Sequence, residues 1–367
     1  MNIAIDMSPL KNGHYLQHRV RGTGFYLRNL QASLEKYYPE NKYIYFNKGD
    51  SLEKDIDVVH YSYFEPFFLT LPVFSKNKTV VTVHDLTPFV FPEQFPSGLR
   101  GNIKWQIQKF ALKNANAIIS DSESSKKDII RFAGISPSKI YIAYLAAGEE
   151  FKRINDEARL PTPERGNGGQ GLMIKEIRKR YGLPEKFVLY VGDVTWNKNL
   201  PRLIEAVKKI SVPLVMVGNA LVQTDVDMGN PWNKDFDKVL GLVEGDNRII
   251  RLGFVSKEEL VLLYNIATVF TMPSLYEGFG LPVLEAMSCG CPVIISREGS
   301  LAEIAGNACY YIDPYDIDSI AGGINEVFKS KNLQQELSEK GLIQSRKFTW
   351  NKTAKETISV YKSIVGD

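Results

Sequence analysis

The sequence predicts an α/β protein with two mostly parallel, doubly wound sheets of similar size, and three observations support this class. Short apolar runs alternate with segments of helical periodicity, which is typical of parallel strands joined by crossover helices. The alternation is interrupted near the middle of the chain by a segment rich in Pro and Gly, and it then starts again. The length of 367 residues exceeds one ordinary domain and fits two.

Six apolar runs in the first half have the length and composition of buried strands. They are Asn2–Met7, Tyr43–Phe46, Val58–Tyr61, Thr79–Val83, Ala117–Ser120 and Ile140–Tyr144. Between the first two runs, Gly22 and Gly24 form a glycine loop before the helical pattern Phe25–Leu34. A strand, a glycine loop and a helix open many nucleotide-binding folds, but two glycines are a weak signal and also fit a plain tight turn.

Six further runs in the second half repeat the pattern. They are Phe187–Val191, Pro213–Val217, Arg248–Leu252, Val269–Met272, Val293–Ile295 and Tyr310–Ile312. Before them, Pro161, Pro163 and the string RGNGGQG at 165–171 indicate a flexible crossing or an exposed loop. We therefore expect a first domain at residues 1–150 and a second at 151–350.

Charge and cysteine content exclude several classes of protein. The 45 basic and 42 acidic residues leave a net charge of +3, which is too small for a nucleic-acid-binding protein. Three cysteines, Cys289, Cys291 and Cys309, form no even disulfide framework and fit a reducing compartment. The N-terminal residues lack the features of a signal peptide, and no apolar run reaches the ~18–20 residues of a membrane span. The sequence predicts a cytoplasmic protein and leaves peripheral contact with the inner membrane face open.

One segment of the first domain, Lys104–Asn114, predicts a basic amphipathic helix. Lys104, Lys109 and Lys113 surround apolar and aromatic residues along it, and Arg100 lies just before it. The pattern fits an ordinary helix on the domain surface. It also fits contact with a lipid-linked acceptor or an anionic membrane surface.

His84 and Asp85 directly follow the apolar run that ends at Val83. Ligands of parallel α/β sheets bind beyond the carboxyl ends of the strands, so both side chains are candidates for a binding site. Alternatively, His84 is a strand-end imidazole that hydrogen-bonds to a neighbouring backbone carbonyl.

The stretch Ser274–Ser296 has the most specific pattern in the chain. A strand ends at Pro273, the loop Glu277–Gly280 follows, and a helix is predicted to begin at Pro282 with Glu285 in its first turn. Glycines let the main chain approach a ligand, and the first helical N–H groups can bind a phosphate. Two carboxylates beside a phosphate site are expected where sugar or ribose hydroxyls donate hydrogen bonds to them.

Glu277 and Glu285, separated by seven residues that include GFGLP, resemble the Glu-x7-Glu signature of retaining GT-B glycosyltransferases of family 4 (glycosyl transferases group 1). The strings HDLTPFVFPEQF and GDVTWNKNL are most similar to the mannosyltransferase-like branch. The resemblance covers nearly the whole chain. It implies a GT-B fold of two Rossmann-like domains facing a cleft, with an acceptor-side first domain and a donor-binding second domain. It also implies that the last helix (351–367, from the pattern Trp350–Val365) crosses back to the first domain.

The resemblance implies roles for individual residues. Glu277 would contact the donor-sugar hydroxyls, Glu285 the nucleotide ribose, and His84 the donor sugar. Lys198 would hold the diphosphate together with loop amides, while Asp193 and Asn197 stand where basic residues are common in the family. The remaining donor-binding candidates are Gly22 and Gly24 near the phosphates, Phe254 and Val255 at the base, and the backbone of Gly278, Phe279, Gly280 and Leu281.

The reaction implied is retaining transfer of a sugar from a nucleotide donor, GDP-mannose being the leading candidate, to a hydroxyl of a glycan or lipid-linked acceptor. A front-face route is expected, because Asp85 is the only carboxylate of the first domain with a suitable position for a nucleophile. Alternatives are a UDP-sugar donor, a sugar-nucleotide hydrolase or epimerase, and a non-catalytic sugar-nucleotide binder.

No cofactor or metal is expected. His14 and His18 are four residues apart, but no helical pattern spans them and no third ligand is evident. Asp225–Asp227 imitates the Asp-x-Asp metal motif of GT-A enzymes. The same pattern recurs at Asp55–Asp57 and Asp316–Asp318, so its occurrence is explained by chance.

Overall fold

The computed structural model describes residues 1–10, 22–52, 55–154, 168–223, 226–227 and 229–366, without the side chains of 168–170. Within the chain, two compact units are distinguished, Met1–Ala146 with Phe348–Asp367, and Ala147–Lys347. His14, His18, Asp225 and most of the proposed linker lie outside the described residues. The acceptor and donor roles of the two domains stay predictions.

The first unit contains a parallel sheet of six strands, flanked by helices. The strands are β1 (Asn2–Asp6), β2 (Lys42–Phe46), β3 (Val58–Tyr61), β4 (Lys78–Val83), β5 (Ala117–Ser120) and β6 (Ile140–Ile142), and the helices between them are α1 (Gly22–Tyr37), α2 (Thr87–Val90), α3 (Gly98–Asn114) and α4 (Glu123–Asp128). The sheet order is β2-β1-β3-β4-β5-β6. Val80, Val81 and Ile118 are fully buried, because both faces of a parallel sheet are covered.

The second unit contains another parallel sheet of six strands. The strands are β7 (Val188–Val191), β8 (Leu214–Val217), β9 (Ile249–Arg251), β10 (Val269–Met272), β11 (Val293–Ile295) and β12 (Tyr310–Tyr311), and the helices are α5 (Gly168–Tyr181), α6 (Leu200–Ile210), α7 (Lys234–Val243), α8 (Lys257–Ile266), α9 (Leu281–Ser288), α10 (Leu301–Ala305), α11 (Ile317–Lys329) and α12 (Lys331–Ser345). The sheet order is β12-β11-β10-β7-β8-β9. All twelve predicted strands are therefore confirmed, each within two residues of its predicted bounds.

The strand order of the second sheet determines where a ligand site can form. The sequence order reverses between β7 and β10, which are hydrogen-bonded neighbours. At such a switch point the loops leaving the two strands diverge and open a crevice beyond their carboxyl ends. The loop after β7 carries Lys198 and the loop after β10 carries Glu277, so both residues lie at this crevice.

The last helix, α13 (Trp350–Val365), belongs to the first unit and packs on α1, β4 and β5. Thr353 Oγ1 donates a 2.6 Å hydrogen bond to the carbonyl of Tyr144, and the buried Tyr361 hydroxyl lies 2.7 Å from His60 Nδ1. Among the described residues, none of the helices is both long enough and apolar enough to cross a membrane.

Candidate functional site

The loops after β7 and β10 are joined by hydrogen bonds through their backbones and two asparagines. Leu275 N donates to the Asn197 carbonyl at 2.7 Å, and Asn197 Nδ2 donates to the Tyr276 carbonyl at 3.0 Å. Asn199 Nδ2 donates to the Pro273 carbonyl at 2.9 Å. Asn197 therefore has a structural role in which its amide positions the Glu277 loop, and its predicted donor contact stays a prediction.

Lys198 and Glu277 form an ion pair inside this pair of loops. Lys198 Nζ donates to both carboxylate oxygens of Glu277 at 2.8 Å, and Ser274 Oγ donates to Oε1 at 2.7 Å. Glu277 is only 8% exposed. An ammonium group has three protons, so the two bonds to Glu277 leave one for a further acceptor such as a phosphate oxygen.

The backbone of the Glu277 loop is held by the segment after β11. Ser300 N and Oγ donate to the Glu277 carbonyl at 3.0 and 3.1 Å, and Ser300 Oγ also lies 2.8 Å from the Phe279 carbonyl. Gly299 has φ +61°, and a Cβ there would lie 2.4 Å from the Glu277 carbonyl oxygen. A glycine is required at this position because the two backbones are in contact.

The helix after this loop differs in two details from the prediction. It begins at Leu281, so Pro282 is its second residue and Glu285 lies in its second turn rather than its first. Gly280 stands at the N-cap with φ 96°, and among the described residues no side chain caps this end. Pro282 has no N–H and Val283 N donates to the Gly280 carbonyl at 3.0 Å, so Leu281 supplies the candidate amide of α9 for an anion.

Glu285 has a different neighbour from Glu277. The Tyr264 hydroxyl, on α8, donates a 2.9 Å hydrogen bond to Glu285 Oε2, and both residues are buried. Burial raises the pKa of Tyr264 well above its ordinary value, and the Glu285 carboxylate raises it further. Tyr264 therefore stays protonated and orients the carboxylate that the family resemblance directs to the ribose.

In the first unit, the partly buried His84 follows β4 and pairs with the buried Asp121. Its Nδ1 lies 2.6 Å from Asp121 Oδ2, and the Tyr26 ring packs edge-on against the imidazole at 4.9 Å between ring centres. Within the described part of the chain its Nε2 has no hydrogen-bond partner. The partner of His84 at Nδ1 is therefore a carboxylate, while a hydrogen bond with the Ser62 backbone also acts on the imidazole, so both interpretations of His84 stay open.

The ionisation of His84 reflects two opposing effects. Burial is the largest single effect and disfavours the imidazolium, but the Asp121 and Asp85 carboxylates and a hydrogen bond with the Ser62 backbone together raise the pKa of His84 above its ordinary value. The pair holds the ring in one orientation with Nε2 as its unoccupied nitrogen. The neighbouring Asp85 accepts a 2.9 Å hydrogen bond from Thr87 N, which starts α2.

The other predicted residues lie in varied surroundings. Gly22 and Gly24 are the first and third residues of α1, so the predicted glycine loop before this helix is wrong. Asp193 accepts a 2.9 Å bond from the Tyr190 hydroxyl through its carbonyl. Beyond β9, Phe254 is 69% exposed, whereas Val255 is buried.

Among the described residues, no group of three or more His, Cys, Asp or Glu side chains could hold a metal ion. The residues that sequence reasoning missed are Asp121, Ser274, Tyr264, Gly299 and Ser300. Asp121 was accessible in principle, because it follows β5 just as His84 follows β4. The other four support the two glutamates and carry no motif of their own.

Two parallel six-stranded sheets with flanking helices, the second with a crevice at its switch point, have the architecture of GT-B glycosyltransferases. Sequence profiles support this class over both units: "Glycosyl transferases group 1" matches residues 173–343 and "Glycosyltransferase Family 4" matches 23–146. The chain belongs to the family of glycosyl transferases group 1, the family 4 glycosyltransferases.

Named relatives include mannosyltransferases of Escherichia coli. The chain is 30% identical to O-antigen chain mannosyltransferase B over 298 residues, covering 78% of this chain and 71% of that protein. It is 29% identical to the serotype-specific mannosyltransferase WbdA over 293 residues, which are 78% of this chain and 34% of WbdA. The match therefore spans about a third of WbdA.

Solved structures share the fold at low sequence identity. Sucrose-phosphate synthase from Thermosynechococcus elongatus superposes with a TM-score of 0.75 at 19% identity, covering 99% of this chain and 98% of that one. Anabaena HepE in complex with UDP and glucose superposes with a TM-score of 0.72 at 15% identity, covering 99% of this chain and 100% of that one.

Proposed function

We propose that the chain transfers a mannosyl residue from GDP-mannose to a hydroxyl of a glycan or lipid-linked acceptor, with retention of the anomeric configuration and without a metal ion. The observation that carries the proposal is the Lys198–Glu277–Ser274 group at the switch point between β7 and β10. Mannosyl transfer is supported by the E. coli relatives, which are named O-antigen chain mannosyltransferase B and serotype-specific mannosyltransferase WbdA.

Lys198 would act on the leaving group. As the glycosidic bond breaks, negative charge accumulates on the diphosphate, and preorganised donors stabilise it. The third ammonium proton of Lys198 and the Leu281 amide at the start of α9 would supply this stabilisation. Glu277, held by Lys198 and Ser274, would accept hydrogen bonds from the sugar hydroxyls.

The acceptor hydroxyl would attack the same face from which the diphosphate leaves. In this route the departing phosphate oxygen takes the acceptor proton, and the new bond keeps the configuration of the old one. Asp85, the carboxylate considered as a nucleophile, is hydrogen-bonded to Thr87 N. This contact favours the front-face route over a covalent glycosyl intermediate.

A UDP-sugar donor is the second candidate, because the same fold binds UDP-glucose in Anabaena HepE. We also propose a cytoplasmic location, since three cysteines form no even disulfide framework, as in a reducing compartment.

The test uses a panel of GDP-, UDP- and ADP-sugars with two measurements. The first is the unfolding temperature in the presence of each compound, and the second is transfer of the sugar to mannan oligosaccharides. We expect the largest stabilisation with GDP-mannose and an α-linked product by NMR that forms equally well in EDTA. A β-linked product, loss of activity in EDTA, or turnover of the donor alone at the full rate would contradict the proposal. Stabilisation without transfer to any acceptor would identify a binding protein.

A further inference from the structure

Two segments of the first unit lie side by side on its surface: α3 (Gly98–Asn114) and the segment 66–76 that precedes β4. Gln108 fixes them together, because its Oε1 accepts 2.9 Å hydrogen bonds from the amides of Thr70 and Leu71. The Phe74 and Phe110 rings meet edge-to-face at 6.0 Å. We call these two segments the α3 surface.

The α3 surface has an unusual concentration of exposed apolar side chains. Among the described residues, 17 large apolar side chains are exposed, and eight of them lie here: Phe68, Leu69, Val73, Phe74, Leu99, Ile103, Ile107 and Phe110. Leu99 and Phe74 are each 79% exposed, more than any other in that set. Four of the eight recur on α3 at the spacing of one helix face. Clusters of this kind mark interaction sites, whereas single exposed apolar residues need no explanation.

A pocket of about 390 Å³ opens beside the same side chains. Val73, Phe74 and Phe110 contribute to its walls, together with Leu71 and Ala111. It offers space for apolar groups between the helix and the segment 66–76.

The charge of the α3 surface has one sign. Residues 66–84 and 94–120 contain no Asp or Glu, and their basic residues are Lys76, Lys78, Arg100, Lys104, Lys109 and Lys113. Arg100 and Lys113 are exposed, and the Lys104 ammonium lies 5.4 Å from the centre of the Phe68 ring. Cations therefore border the apolar stripe, as in helices that lie in the interface of an anionic bilayer.

We propose that the α3 surface docks on the face of an anionic lipid bilayer. The stripe from Leu99 to Phe110 and the ring of Phe74 enter the boundary between head groups and acyl chains. Arg100, Lys104 and Lys113 contact the lipid phosphates. A second copy of the chain fits this surface poorly, because a symmetric dimer would bring two cationic faces together. The proposal is independent of which donor the enzyme uses.

The test is co-sedimentation of the full chain with vesicles. One set is phosphatidylcholine alone, and in the other about a third of the lipid is phosphatidylglycerol. We expect clear binding to the anionic vesicles, at least about tenfold weaker binding to the neutral ones, and loss of binding near 1 M salt.

Two kinds of variant test the two parts of the surface. Leu99→Ser and Ile103→Ser should each weaken binding about tenfold, because each removes an inserted side chain. Arg100→Gln and Lys113→Gln should each weaken it about fivefold. The matched controls are Ile343→Ser, 62% exposed in the second unit, and the pair Lys329→Gln and Lys331→Gln.

Equal losses in the controls and the α3 variants, or equal binding to both vesicle types, would overturn the proposal. Sedimentation equilibrium gives a further test. If the wild type is a dimer and Leu99→Ser is a monomer, a second copy of the chain occupies the α3 surface and the proposal is overturned. Thermal unfolding with and without nucleotide keeps the two proposals separate: the α3 variants should keep the unfolding temperature and the nucleotide-induced shift of the wild type.

Discussion

His84 and Asp121 face each other across two neighbouring parallel strands, with Nδ1 and Oδ2 2.6 Å apart. The register pairs Val83 of β4 with Ser120 of β5, so the residues that follow, His84 and Asp121, leave the sheet at the same level. The position of both side chains therefore follows from the sheet itself. A histidine held in this way presents Nε2 in a defined direction.

Asp121→Asn should lower the pKa of His84 below its ordinary value, because burial is then opposed only by the weaker effects of Asp85 and the Ser62 backbone. Histidine NMR titration measures this shift directly. Asp85→Asn, which removes a neighbouring carboxylate without contact to the imidazole, is the control and should produce a smaller change. An unchanged His84 pKa in Asp121→Asn would show that the carboxylate does not stabilise the imidazolium.

The same pair makes stability depend on pH. The pKa of His84 is raised in the folded state. Its contribution to the free energy of unfolding is therefore complete below the unfolded-state pKa of about 6.5, and this contribution is lost as pH rises through the folded-state pKa. The difference in unfolding free energy between the wild type and Asp121→Asn should be larger near pH 6 than near pH 9. Chemical denaturation at the two pH values tests this sign.

Glu277→Ala should reduce kcat/KM roughly 10–150-fold, the equivalent of losing charge-assisted hydrogen bonds of about 1.5–3 kcal/mol. Steady-state kinetics with GDP-mannose measures it. A reduction of less than about threefold would exclude a direct role of this carboxylate in the transition state.

Lys198→Met should lower both activity and stability. The variant leaves a nearly buried carboxylate without its cation, which should reduce the unfolding free energy by about 1–3 kcal/mol. Adding Glu277→Gln removes that charge and should restore part of the stability but none of the activity. If the double variant is as unstable as the sum of the two single variants, the ion pair does not couple the two residues.

Gly299→Ala should displace the Glu277 loop, because the new Cβ would lie 2.4 Å from the Glu277 carbonyl oxygen. Gly182→Ala is a matched control: its φ of +60° is nearly the same, but a Cβ there meets nothing within 4 Å. Both variants acquire backbone strain of about 1 kcal/mol, and only Gly299→Ala should also lose kcat/KM. Equal kinetics in the two variants would show that the contact with Glu277 is not needed.

Tyr264→Phe should raise KM for the donor with little change in kcat, since Glu285 loses the hydrogen bond that orients it toward a ground-state contact. Tyr361→Phe, an equally buried tyrosine bonded to His60, is the control for stability alone. A fall in kcat at unchanged KM would show instead that the Glu285 contact stabilises the transition state.

The amino-acid sequence was sufficient to predict the twelve strands and the final helix. Buried parallel strands are continuous apolar runs, and helices carry their own periodicity, so both are readable locally. The loop from Glu277 to Gly280 was predicted for the same reason, because glycines and a proline mark it within a few residues. The start of α9 was missed by one residue, which moved Glu285 to the second turn.

The partners of the candidate site depended on the tertiary structure alone. Lys198 and Glu277 are 79 positions apart in the chain, and they meet because the sheet order makes β7 and β10 neighbours. Tyr264 reaches Glu285, and Ser300 holds Glu277, through packing between elements that share no local pattern. Periodicity reports the conformation of each segment, whereas the contacts that orient a catalytic side chain are set by which strands pair and how the helices pack upon them.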